Sequence, residues 1–237
     1  MTKGRIIRPE NPGRIVLPRL GFLKTGRKNA STGYPESVDY FIPDSKYASY
    51  FQKEYGDKPS TVQIVFFDED LDTSCRERYE LRDNDGKLFA KGDGETFEVW
   101  TGKEYSTYTL DKVPDLMART YKESRSKKGW EILLTLRFIL PKIRSVAGFW
   151  EFNTKGALSS IPSIRGAFDT VQANRGTITG VIFDLSVTFA KSQKPGAKSR
   201  FPVVSLTANE NDDNLALIKS SFIKVEHPLQ LGGHPGE

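Results

Sequence analysis

A chain of 237 residues with 37% hydrophobic and 27% charged positions has enough apolar material for a compact body with a single core and is not a candidate for wholesale disorder. Its one cysteine, Cys75, excludes an intramolecular disulfide and a thiolate zinc cluster built from this chain alone, which fits a reducing compartment. The net charge of +5 is modest but uneven: between Met1 and Gly33 eight basic residues stand against one acid, Glu10, while Asp68 to Glu98 is acid-rich, so the molecule is expected to be electrostatically two-faced, with an anionic partner on its basic side. The plainer reading of the basic segment is a solvated, partly mobile arm kept soluble by its charge.

The opening MTKGRIIRPENPGR lacks the apolar run of a signal peptide, and the longest apolar-rich stretch, Ile132 to Leu140, is interrupted by Thr135 and Arg137. The expectation is a protein neither exported nor membrane-spanning. Arg14 to Leu23 reads as a first strand bent or held at an edge by Pro18, followed by a polar loop, GRKNASTG. After a short strand at Ser37 to Ile42, Tyr47, Tyr50, Phe51 and Tyr55 recur at helical spacing, which predicts a helix over Ser45 to Tyr55 with an aromatic face turned to the core. Thr61 to Phe67 is a β-branched, buried strand. Arg78 to Leu81 and Lys87 to Ala90 flank an Asn-Asp-Gly turn and form the clearest hairpin, and Phe97 to Trp100 with Tyr105 to Leu110 form a second.

A short helix is expected over Val113 to Lys122, capped by Asp111 with Pro114 in its first turn, opening into a basic turn at Ser124 to Gly129. Glu131 to Leu140 reads as a central strand buried on much of both faces, and Gly148 to Thr154 as another. Leu158, Ile161, Ile164, Phe168 and Val171 give helical spacing over Ala157 to Gln172, with Ser159 or Ser160 as the cap. Thr177 to Ala190 keeps a strict period of two through Val181, Phe183, Leu185, Val187 and Phe189, and the basic linker SQKPGAKSR joins it to a strand at Phe201 to Leu206. Leu215 to Ile223 can form a short amphipathic segment, and the end of the chain lacks core residues. The resulting fold class is α+β, mainly antiparallel β-sheet with two or three packed helices. Residues 1–33 are assigned to a basic arm and first strand, 34–208 to a single α+β body, and 209–237 to a polar, flexible tail.

Motifs for chemistry are sparse. Asp68, Glu69, Asp70 and Asp72 lack the alternation and glycine of a calcium loop and read as a solvated loop. Asp93 and Glu95, between and after two glycines, read first as a hairpin corner and second as acids aimed at an anionic substrate, a reading that lacks a partner residue. His227 and His234 lie in the Pro/Gly-rich tail, where neither is held as a general base. There is no Gly-x-Ser-x-Gly elbow and no Walker loop. No catalytic residue, metal ligand or cofactor is assigned, and the chain is read as a non-enzyme.

Six stretches taken in order, NPGRIVLPRLG, YGDKPSTVQIVFF, YELRDNDGKLFAKGDGETFEVW, GFWEFNTKGALSSIPSIRGAFDTV, ITGVIFDLSVTFA and RFPVVSLTA, span Asn11 to Ala208. Together they resemble the phage recombination directionality factor-like family, some members of which carry the label "hydrolase or metal-binding protein". The resemblance implies an accessory protein of a phage or mobile element, in the cytoplasm of the bacterial host, that binds a large serine integrase and switches it from integration to excision by contact. In many relatives cysteines following the GDGE-like corner can hold zinc; here Thr96 to Leu140 contains none, so packing around Trp100, Tyr105 and Trp130 is expected in place of a zinc staple. DNA or another nucleic acid is the expected second partner, contacted on charge alone by Arg5, Arg8, Arg14, Arg19, Lys24, Arg27 and Lys28, with Lys127, Lys128, Lys194 and Lys198 as a second cluster. The alternative is a single-stranded DNA-binding protein of phage replication or repair that stacks bases on Tyr34, Tyr121, Trp130 and Trp150.

Overall fold

The computed structural model describes residues 17–191 and 200–208. β1 (Arg19–Lys28) and β2 (Pro35–Asp44) form an antiparallel hairpin closed by a turn in which Gly33 takes φ +69°. The strand runs five residues beyond Leu23, through the Gly-Arg-Lys expected to be loop, because Lys24 pairs with Asp44 and Arg27 with Glu36 across the ladder. Those cross-strand charges hold a segment whose polar sequence shows no alternation. α1 (Ala48–Tyr55) follows. It buries Phe51, keeps Tyr47 and Tyr55 against the core and leaves Tyr50 exposed.

After β3 (Thr61–Val65), α2 (Leu71–Ser74) and β4 (Cys75–Arg82) come three further strands, β5 (Leu88–Gly92), β6 (Thr96–Trp100) and β7 (Tyr105–Thr109), joined as successive hairpins. α3 (Leu116–Ser124) starts three residues later than expected, with Asp115 at its N-cap; Thr109 O accepts from the amides of Lys112 and Val113, so those residues turn before the helix begins. β8 (Trp130–Phe138) and β9 (Phe149–Thr154) lead to α4 (Ser160–Arg175), and β10 (Ile182–Lys191) pairs with β11 (Arg200–Ala208).

Two sheets result: eight strands in the order β2-β1-β9-β8-β4-β5-β6-β7, and three in the order β11-β10-β3. All pairs are antiparallel except β1 with β9. The fold is α+β and mainly β. β8 lies inside the large sheet, with Leu133 to Leu136 consecutively buried, which is what a strand covered on both faces requires.

The apolar interior forms two clusters. The larger gathers Leu134, Leu136 and Phe138 of β8, Trp150 and Phe152 of β9, Phe168 of α4 and alternate residues of β3 and β10. Phe66, Phe168 and Phe183 meet there, with ring centroids 4.6 to 6.0 Å apart. The smaller joins Leu81, Ala90, Phe97 and Val99 to Leu116 of α3. In this cluster Trp130 packs edge-on to Phe97 at 5.5 Å and donates its indole N–H to Met117 O at 3.0 Å. Trp100 and Tyr105, expected to pack with it, instead form an exposed pair 5.3 Å apart. Leu158, expected on the buried face of α4, precedes the helix and is 99% exposed. Ser160 does not cap the helix through its side chain; its Oγ accepts from Val204 N at 2.9 Å and fastens α4 to β11.

Candidate nucleic-acid interface

The basic residues singled out from the sequence have different surroundings. Arg5, Arg8, Arg14, Lys194 and Lys198 lie outside the described residues, as do Leu215 to Ile223, His227 and His234. Arg19, Lys24, Arg27 and Lys28 all sit on β1. Arg19 pairs with Glu151 at 3.2 Å and lies over the Phe22 ring. Lys24 pairs with Asp44, and Arg27 with Glu36, whose other oxygen accepts from Asn29 at 2.6 Å. The Glu36 carboxyl is held below the usual carboxylate range, first by the hydrogen bond from Arg27. Of the four, Lys28 alone carries no ion pair among the described residues.

Lys127 and Lys128 are exposed in the turn between α3 and β8. The helix ends at Arg125, which adopts φ +53° and is the one non-glycine residue with positive φ among the described residues. Two serines shape the turn behind it: Ser124 Oγ accepts from Ser126 N and Ser126 Oγ from Gly129 N. Lys122, Arg125, Lys127 and Lys128 have no ion pair among the described residues, and Glu123 is taken by Arg119. The exposed Tyr121 ring lies beside the same turn, its Cε2 3.7 Å from where a Cβ on Gly129 would stand. This is a small basic surface with an aromatic face, and its charges are not neutralised locally, unlike those of Arg19, Lys24 and Arg27 on β1.

A third group was missed in the sequence. Cys-Arg-Glu-Arg-Tyr-Glu-Leu-Arg in β4 places Arg76, Arg78, Glu80 and Arg82 on one face at period two, opposite the face bearing Cys75 and Leu81. Arg78 and Arg82 both pair with Glu80, which is 1% exposed. On the same face Arg137 Nε reaches Glu151 Oε1 at 2.9 Å, and Lys91 pairs with Glu98 at 2.7 Å. The charge alternation in β4 was the available signal.

The aromatics divide evenly: Tyr34 and Tyr121 are exposed, whereas Trp130 is half-buried and Trp150 is 1% exposed, so neither tryptophan offers a stacking surface. The acidic loop is not merely solvated. Asp70 caps α2 through Asp72 N, and Glu69 accepts hydrogen bonds from Thr177, Ile178 and Thr179, tying the loop after β3 to the approach to β10. Asp93 Oδ1 accepts from the amides of Glu95 and Thr96 at 2.9 and 2.7 Å, the geometry of a hairpin corner. Among the described residues no three His, Cys, Asp or Glu side chains group to hold a metal, and no helix is long and apolar enough to cross a membrane.

Comparison with known families matches residues 19–209 to the Gp3-like family, described as recombination directionality factor-like. No curated protein and no solved structure matches the chain.

Proposed function

The chain belongs to the Gp3-like, recombination directionality factor-like family, and on that premise we propose that it is a non-enzymatic accessory protein of a phage or other mobile element. It binds a large serine integrase in the bacterial cytoplasm and switches recombination toward excision. The observation that carries this reading is the extent of the match, from the first residue of β1 to one residue past β11, so that it takes in both sheets and all four helices. The protein acts by contact: its body docks on the recombinase while basic residues engage nearby phosphates. Of the basic residues singled out from the sequence, Lys28, Lys127 and Lys128 are the described ones with no carboxylate partner to give up in that engagement.

The test is excision of an integrated element by its purified integrase, with and without this protein, together with recovery of the integrase on the tagged chain after nuclease treatment. Stimulated excision and nuclease-resistant recovery are expected. Equal excision in both reactions, or recovery that vanishes with the nucleic acid, rejects the switch.

A second reading, single-stranded DNA binding, is favoured by Tyr121 beside the unpaired cations at the end of α3, where stacking and phosphate neutralisation would act together. Oligonucleotide affinity that did not fall with salt would count against it.

A further inference from the structure

Arg76 differs from the other cations on its sheet face. The β4–β8 register sets Arg76 opposite Thr135 and Arg78 opposite Leu133, and Arg137, two residues beyond Thr135, falls on the same face. Arg78 and Arg82 share Glu80, and Arg137 shares Glu151 with Arg19. Arg76 has neither an ion pair nor a hydrogen bond among the described residues, and its Nε is shielded from solvent without a partner. Burial first, then repulsion from Arg78 and Arg137, pulls its pKa down from the ordinary guanidinium value, while Asp72 and Glu151 attract it only from beyond ion-pair distance.

A half-buried guanidinium with no ion pair and an unpartnered, shielded Nε, set beside two like charges, costs stability unless something anionic completes it. A groove of about 300 Å³ opens at this point, lined by Arg76, Arg78, Lys91, Gly92 and Thr96 among others. The acids around it are occupied: Glu98 by Lys91, Glu77 by Arg165, and Asp93 by backbone amides. Asp72, which also lines the groove, is exposed and pairs with no cation among the described residues.

We propose that Arg76, with Arg78 beside it, forms a binding site for a phosphate oxyanion in this groove. The carboxylates of this face are already committed, Glu80 to Arg78 and Arg82 and Glu151 to Arg137 and Arg19, so the anion that completes Arg76 comes from outside the chain. The oxygens of a tetrahedral phosphate diverge, so guanidiniums at neighbouring positions on one strand face reach the same group from two sides. The phosphate comes either from a nucleic-acid backbone or from a free phosphoryl group. The site does not depend on the integrase reading, and excision assays do not enter its test.

The experiment compares wild type with Arg76→Gln in inorganic phosphate, in chloride of matched ionic strength, and with a DNA oligonucleotide lacking terminal phosphates. In phosphate the wild-type Tm is expected to rise about 4 °C above that in chloride, and the variant to lose the rise. In chloride the variant should melt no lower than wild type, because it sheds an unpaired charge; a purely structural Arg76 would make it melt lower. A Tm gain from inorganic phosphate identifies a free phosphoryl ligand. Oligonucleotide binding that weakens on the order of tenfold in the variant, without that gain, identifies the backbone. Absence of both effects, their persistence in Arg76→Gln, or a larger stabilisation by an acidic peptide than by either phosphate probe overturns the proposal.

Discussion

Arg137 of β8 and Glu151 of β9 stand directly opposite each other in the ladder, and the guanidinium Nε meets Oε1 at 2.9 Å. The other carboxylate oxygen takes Arg19 of β1 at 3.2 Å. One carboxylate therefore links three adjacent strands, across the antiparallel β8–β9 pair and the parallel β1–β9 pair that is the exception in this sheet.

Glu151→Ala should destabilise the protein by about 2 kcal/mol, since it strips the shared anion from two guanidiniums. The loss stays below that of a fully buried pair because the Arg137 and Arg19 side chains are 29% and 53% exposed and can turn to water. Arg19→Ala, which removes the more exposed partner, should cost less than about 1 kcal/mol. Urea denaturation of both variants checks the ranking. A larger loss for Arg19→Ala would mean that Glu151 is not the pivot.

Arg125→Gly should stabilise the chain by about 1 kcal/mol, because the left-handed backbone at φ +53° strains a residue with a Cβ and suits glycine. Part of the gain is offset by the greater freedom of glycine in the unfolded chain. The same substitution removes one of the unpaired cations beside Tyr121, so a higher Tm accompanied by weaker DNA binding is the expected pair of results. A variant that gained stability and kept its full affinity for DNA would show that Arg125 does not touch phosphates.

The fold class was legible where hydrophobic period and turn chemistry agreed. Asn84-Asp85-Gly86 announced the β4–β5 hairpin, and the alternation from Phe183 to Val187 announced β10. Boundaries failed where long-range pairing decided them. Gly26 to Lys28 is strand because Glu36 and Asp44 wait across the ladder, and Leu158 faces water because the helix begins only at Ser160. The basic residues of β1 were identifiable by charge, but whether each already had an acid beside it depends on register, which a single sequence does not display. Arg76, Arg78 and Arg137 were hidden for the same reason: they lie on two strands about fifty residues apart in sequence, and only the β4–β8 pairing brings them onto one face.

Glu69 makes stability depend on acidity. Burial pushes its carboxyl up, but the hydrogen bonds from Thr177, Ile178 and Thr179 outweigh it and hold the pKa below the ordinary carboxylate value. A group lowered on folding stabilises fully above its unfolded pKa, and that contribution is lost as pH falls through the folded one. The stability gap between wild type and Glu69→Gln should therefore be widest near neutrality and close in acid, below the ordinary glutamate range. Chemical denaturation across that range measures it, and a gap that widened on acidification would contradict the assignment.

Cys75 is 1% exposed, and burial above all pushes its thiol up to about 12. The thiolate is thus scarce at neutral pH and out of reach. Labelling by iodoacetamide should be negligible in the native protein and complete once denaturant unfolds it, with a rate that reports opening of the larger core. Ready labelling of the native chain would place the β4–β8 region among its least stable parts.

The basic residues of β1 and those of the turn after α3 should differ in how their loss affects nucleic-acid binding. Each phosphate contact made by an unpaired lysine releases counterions, so the double substitution of Lys127 and Lys128 by alanine should reduce the slope of log K against log salt by about 1.8 for duplex DNA. It should leave Tm nearly unchanged, since neither lysine has an ion pair to lose. Removing Lys24 and Arg27 instead frees Asp44 and Glu36, leaving two uncompensated acids on the surface. That change should lower affinity at low salt by repulsion even where neither side chain touches a phosphate, and it should cost some stability in the β1–β2 hairpin. Fluorescence anisotropy over a salt series separates contact from repulsion, because neutralising Glu36 and Asp44 as well restores affinity only in the second case. If the alanine pair at 127 and 128 left the slope intact, the turn after α3 would have no part in the interface, and the contacts would have to come from cations elsewhere in the chain.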